Sequence, residues 1–137
     1  MSEFLETDPS LIGGYRLVFE RKVNMDIQLA NEEVSIRVGH PIIMEEALTA
    51  KILTRGDPNA PTHVKIEFLS DQDYFFFYKH ECDSQDFFEM KVDQALKFNF
   101  NDYLTQLVKL FNRCIESNEV KCQLQINVDN TADLYFN

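Results

Sequence analysis

From Leu17 to Leu29, apolar side chains fall on every second residue. Leu17, Phe19, Val23, Met25, Ile27 and Leu29 occupy odd positions, with Arg21 the one exception, while Glu20, Lys22, Asn24, Asp26 and Gln28 occupy even ones. Successive side chains of a strand point to opposite faces, so this pattern calls for a long strand with one face in a core. Val120, Cys122, Leu124, Ile126 and Val128 repeat it against Lys121, Gln123, Gln125 and Asn127. A chain that begins and ends on such segments needs a sheet, and the sheet needs a layer over its apolar face.

Between these strands the pattern predicts more of them. Val34, Ile36 and Val38 alternate with Glu33, Ser35 and Arg37 until Gly39-His40-Pro41, where proline cannot donate to a ladder. Leu48 to Thr54 reads as a third strand and Val64, Ile66 and Phe68, alternating with His63, Lys65 and Glu67, as a fourth. Thr54 to Pro61 is a loop by composition. Tyr74 to Cys82 is an aromatic-rich fifth strand.

The period then changes. Asp83-Ser84-Gln85-Asp86 is a helix start, with a capping side chain and acid in the first turn, where the helix dipole favours it. Asn101 is placed to cap a second helix, whose stripe is Leu104, Leu107, Val108, Phe111 and Ile115. A second stripe, Tyr103, Leu107, Leu110 and Cys114, lies partly on another side. So wide an apolar arc is either covered on two sides or offered to a partner. Asp129-Asn130-Thr131 is a hairpin turn, and Ala132 to Phe136 returns as the last strand. The order predicts an α+β fold: a small antiparallel β-sandwich or barrel with an inserted helix–turn–helix. Residues 1–14 read as a mobile N-terminal tail and residues 15–137 as a single head domain.

Charge and length narrow the function classes. The chain has 137 residues and a formal net charge of −10. Duplex nucleic-acid binding rests on clustered Lys and Arg, which this acidic chain lacks. No run reaches the roughly 20 apolar residues of a membrane span, and Met1 to Gly14 carry Glu3, Glu6 and Asp8 without a basic group, unlike a secretory signal. Cys82, Cys114 and Cys122 form no C-x-x-C, which favours a reducing, cytoplasmic compartment.

Motif-grade chemistry is sparse. His80-x-Cys82 shares one strand face and could pair a thiolate with an imidazole, but a buried structural Cys82 beside a surface histidine fits better. G-x-S-x-G is absent, and Thr62 to Asn137 contains no Gly or Pro with which to build a phosphate loop. Asp71, Asp73, Glu81 and Asp83 lack the spacing of a calcium loop, and the remaining carboxylates scatter over expected solvent faces and turns. Arg55-Gly56-Asp57 reads as an ordinary loop before Pro58. No enzyme, metal or cofactor follows from these residues. The unusual feature is aromatic density, since nine of the 12 Phe lie from Phe68 to Phe111. Phe75-Phe76-Phe77-Tyr78 reads first as a core strand covered on both faces, and second as a contact surface.

These residues carry a resemblance. Leu69 to Cys114 resembles, without a gap, the motif in the head domain of the spindle assembly abnormal protein 6 family, the centriole cartwheel proteins. The matching features are Ser70-Asp71, Phe75-Phe76-Phe77-Tyr78, Asp86-Phe87, Lys91-Val92-Asp93-Gln94, Phe100 and Cys114. Cys122 to Phe136 resembles the next two strands, and Val18 to Ile27 weakly resembles the first. The departures are Tyr74 and Ala95, where the family often has Pro and Gly, and the lack of Pro after Tyr103.

The resemblance implies the head architecture of the X-ray cross-complementing repair protein four superfamily, with function by self-assembly. Family heads meet in pairs, and stalks form a parallel coiled coil. It also implies that the head is truncated before its last strand, with the docking residue of the family lying past Asn137. A SAS-six-like paralogue without the stalk, found in flagellar basal or apical structures, is an alternative parent. Expected partners are a second copy and other centriole or flagellar scaffold proteins, with neither nucleic acid nor membrane. The expected location is the cytoskeleton at centriole, basal body, flagellum base or apical complex. A scaffold head that binds a heterologous partner is the rival reading, and an enzyme using His80 and Cys82 a remote third. Tyr103, Leu110 and Tyr135 are the candidate exposed contact residues for self-association.

Overall fold

The computed structural model describes residues 9–29, 42–73, 76–117, 119–127, 129 and 131–136. After a 3-10 turn at Pro9–Leu11 come β1 (Arg16–Leu29), β2 (Ile42–Asp57), β3 (Ala60–Leu69) and β4 (Phe77–Asp83). Two helices follow, α1 (Ser84–Gln94) and α2 (Phe100–Glu116), then β5 (Cys122–Ile126) and β6 (Ala132–Phe136). The strands join in one sheet of order β4-β3-β2-β1-β5-β6. All pairings are antiparallel except β1 with β5, which run parallel with Met25 opposite Cys122 and Leu29 opposite Ile126. This is an α+β fold in which the helical pair carries the chain from edge strand β4 across the sheet to β5. The strand expected around Val34 to Val38 lies outside the described residues.

The alternation in β1 becomes burial. Val23, Met25 and Ile27 are sealed on the face shared with Leu48, Ala50 and Ile52 of β2 and with Val64, Ile66 and Phe68 of β3. Helix α2 lays Leu107 and Phe111 over this face, and α1 adds Phe87. The Phe111 ring lies 5.8 Å from Phe19, 6.0 Å from Phe68 and 5.2 Å from Phe136 between centroids. Most of the aromatic density is therefore core. Phe77 and Phe88 are exposed, and Phe75 lies outside the described residues.

The other face of β3 departs from expectation. Lys65 and Glu67, expected to be solvated, are only 4% and 2% exposed. The cover is the segment 9–15, so the described part of the expected mobile tail instead packs on the sheet. Ser10 Oγ donates to Glu67 Oε1 at 2.5 Å, and Lys65 Nζ donates to the Ser10 carbonyl at 2.7 Å. Lys65 also sits 3.4 Å from Glu67 and 4.2 Å above the Tyr15 ring. Each buried charge has its counter-charge and hydrogen bonds, the condition under which burial is tolerated.

Local chemistry sets the element ends. The expected loop at Thr54 to Pro61 shrinks to a turn at Pro58 and Asn59, because both strands continue through a bulge between Arg55 and Gly56. Gly56 has φ +101°, and a Cβ there would meet the Thr62 backbone nitrogen at 2.9 Å, so only glycine fits. Helix α1 starts as expected on a capping box. Asp83 accepts from the Asp86 amide at 2.8 Å, and Asp86 accepts from the Asp83 amide at 3.2 Å. Helix α2 starts before the expected cap. Asn99, not Asn101, holds the cap position, and its side chain accepts from Lys91 Nζ at 2.7 Å instead of capping.

Ala95 ends α1 in the left-handed region at φ 53°, with the Ala95 and Leu96 amides both turned back to the Lys91 carbonyl. A Cβ is disfavoured there by about 1 kcal/mol. Ala95→Gly is expected to stabilise the chain by about that amount, less the added freedom of its unfolded state. A urea midpoint that rises with an unchanged slope checks this.

A candidate interaction groove between the sheet edges

The sheet curls so that its two edge strands, β4 and β6, face each other across an open cavity of about 890 Å³. Tyr78 and His80 line it from β4, and Leu134 and Phe136 from β6. Phe68 and Leu124 lie at its sheet side. Met90 of α1, Leu96 and Phe98 of the connector, and Leu107 and Leu110 of α2 complete the lining. An edge strand presents unpaired backbone donors and acceptors, so the groove offers apolar side chains and strand edges together.

All three candidate contact residues line this groove, though not alike. Tyr135 is 45% exposed, and Leu110 is half-buried on α2. Tyr103 is corrected: at 7% exposure it is a core residue. Its ring packs against Phe87 at 5.1 Å and Phe100 at 6.3 Å, and burial holds its phenol well above the ordinary value. The wide arc of α2 is thus used on two sides, with Phe111 toward the sheet and Tyr103 toward α1. Leu110 remains at the groove. The sequence reading missed Met90, Leu96, Phe98 and Leu134. Their apolarity was visible, but only the curl brings both edges of the sheet, the two helices and their connector around one cavity.

The alternative chemistry does not assemble. His80 is exposed, whereas Cys82 is 1% exposed and donates to the Asp83 carbonyl at 3.4 Å. Burial, helped by Asp86 and Asp83, pushes the Cys82 thiol up to about 11, which keeps it a protonated, poor nucleophile near neutral pH. Among the described residues no group of three or more His, Cys, Asp or Glu is placed to hold a metal ion. No described helix is long and apolar enough to cross a membrane. Lys79 and Asp133 stand on opposite walls of the groove, giving it one charge of each sign.

Comparison with known proteins agrees with this architecture. The centriolar protein SAS N-terminal domain matches residues 17–137. No curated protein sequence matches the chain. The N-terminal domain of C. elegans SAS-6 superposes with a TM-score of 0.70 at 9% identity, covering 89% of this chain and 84% of that one. A Leishmania SAS-6 fragment that contains part of its coiled coil gives 0.70 at 17% identity, covering 89% and 68%. A Drosophila melanogaster Sas-6 fragment, dimerised via its coiled coil, gives 0.68 at 14% identity, covering 96% and 61%. At these identities the structural likeness speaks for the fold.

Proposed function

Because the chain belongs to the family of centriolar SAS N-terminal domains, we propose that it is a structural self-association module of a centriolar or basal-body scaffold, acting through weak contacts between two copies of this head. The observation that carries the reading is the groove: an apolar cavity bordered by two strand edges, with Tyr135 exposed and Leu110 half-buried in its wall. The related C. elegans fragment is a dimer through its coiled coil. A second, weaker contact in the head would then act by avidity, because linking two copies raises the effective concentration of their heads. A contact of this kind can be nearly undetectable in an isolated head and still close an assembly when repeated at a fixed rotation.

The net charge of −10 sets a rival reading, a basic heterologous partner, and salt separates the two. Like-charged copies repel, so screening strengthens self-association, whereas it weakens binding of a basic partner. Sedimentation equilibrium at rising protein concentration is expected to show a mass that increases, more so at high salt. Leu110→Glu with Tyr135→Glu should hold the mass at that of a monomer. A monomer at millimolar concentration and high salt, or unchanged association in the double variant, overturns the reading. Location at a basal body, flagellum base or apical complex belongs to the same proposal, and tagging the whole protein in a flagellated cell tests it.

A further inference from the structure

We propose that His63 and Arg55 form a proton-operated latch on the segment 9–15, closed while the imidazole is neutral and released when it takes up a proton. Arg55 of β2 is the clasp. Its guanidinium donates to the Gly13 carbonyl at 3.2 Å, lies 5.2 Å from the centre of the Tyr15 ring and meets His63 Nε2 at 2.9 Å. Gly13 and Gly14 stand at φ +88° and +83°, between the 3-10 turn and β1. Two glycines therefore give the segment a place to turn. Arg55 fastens it there, and Lys65 and Glu67 fasten it further out at Ser10.

Counting hydrogens fixes the state of the ring. A guanidinium only donates, so Nε2 accepts from it. Thr62 Oγ1 gives its one hydrogen to the Arg55 carbonyl at 3.1 Å, so at 2.9 Å it accepts from His63 Nδ1. The network assigns a neutral ring with its proton on Nδ1. Protonation places a second hydrogen on Nε2, donor against donor and cation against cation. Strand β4 offers the imidazolium another partner. Asp83 is paired with His63 across the strands, and its carboxyl, held below the ordinary value chiefly by the Asp86 amide, is lowered by His63 as well. The other charged or titratable groups around the ring are Lys65 on the same face of β3, Glu81 opposite Lys65 on β4, and the Tyr15 phenol from the covering segment. From β1, Arg16 is engaged with the Gly56 carbonyl. The closed latch has no room for a proton on Nε2 and the open one admits it, so acidification through the imidazole range favours opening. Opening uncovers the Lys65–Glu67 pair. The latch lies on the face of β3 away from the groove and stands independently of self-association.

The test is a titration of the whole ¹⁵N-labelled chain by NMR, from about pH 8 to about pH 5, the span over which an imidazole changes charge. At the upper end the ring nitrogens of His63 are expected to show the Nδ1–H tautomer. On acidification the amide signals of Gly13, Gly14 and Tyr15 should move with the midpoint of the His63 ring and not with that of His80. The Ile12 amide donates to the Pro9 carbonyl at 3.2 Å within the segment. Its hydrogen-exchange protection, corrected for the intrinsic rate at each pH, should fall about tenfold, the scale of one charge-assisted bond. His63→Gln supplies an oxygen that accepts from Arg55 without titrating, and should keep that protection at both ends. His63→Lys should lack it at both ends, with folding checked by circular dichroism. An Nε2–H tautomer at the upper end, segment amides that do not follow the His63 ring, an Ile12 amide equally protected throughout, or a His63→Gln chain that still responds overturns the proposal.

Discussion

Phe111→Ala is expected to cost about 3–5 kcal/mol of folding stability, the range for removing a large aromatic from a tight core. Phe111 is fully buried, and its ring meets one ring each from β1, β3 and β6. It is the point where α2 is fixed to both halves of the sheet. Most of the loss comes from apolar area returned to water and from the cavity left behind, with smaller terms for the aromatic pairs. A domain of this size has about 5–15 kcal/mol in hand, so the variant stands close to its unfolding threshold. Chemical denaturation followed by circular dichroism measures it. A loss below about 1 kcal/mol would mean that α2 is not held by this ring.

Lys65→Met is the second large effect. It removes one member of a pair whose side chains are 5% and 3% exposed, leaving the Glu67 carboxylate buried with the Ser10 hydroxyl. Breaking a buried pair from one side costs about 3–5 kcal/mol, because the remaining charge stays buried without its counter-charge. Lys65→Met with Glu67→Leu removes both charges and is expected to recover more than half of that loss. It does not recover all, since the Ser10 hydroxyl loses its bond to Glu67 and the Ser10 carbonyl its bond from Lys65. The double-mutant cycle isolates the pairing from the packing. A double variant no more stable than the single would show that the site is held by the fit of the side chains and not by the charges.

These two sites show what the sequence makes legible. Phe111 stands out by its place in a helical stripe, and the faces of β1 and β5 follow from parity alone. Parity cannot give direction, since parallel and antiparallel neighbours alternate alike, so the β1–β5 parallel pair was not readable. Lys65 and Glu67 follow the same alternation as solvated residues, and nothing local announces that residues 9–15 will cover them. Asn99 and Asn101 are both competent caps, and a tertiary bond from Lys91 decides what the Asn99 side chain does. The turn at Pro58 and Asn59 was hidden by composition, because Gly56 serves a bulge within the strand pair. At the groove, Leu110 and Tyr135 were legible as apolar residues beyond the needs of one core face. Tyr103 was misplaced because a helix packed on two neighbours buries more of its arc than a single stripe predicts.

The account rests on one surface, the groove between β4 and β6, being where copies of this head meet. A series of ¹⁵N–¹H spectra from dilute to millimolar protein tests it most directly, at high salt where repulsion between acidic copies is screened. Concentration-dependent shifts are predicted at Lys79, Leu110, Asp133 and Tyr135, titrating together with one apparent constant. Spectra that do not change with concentration, or changes confined to the face of β3 covered by residues 9–15, would contradict it.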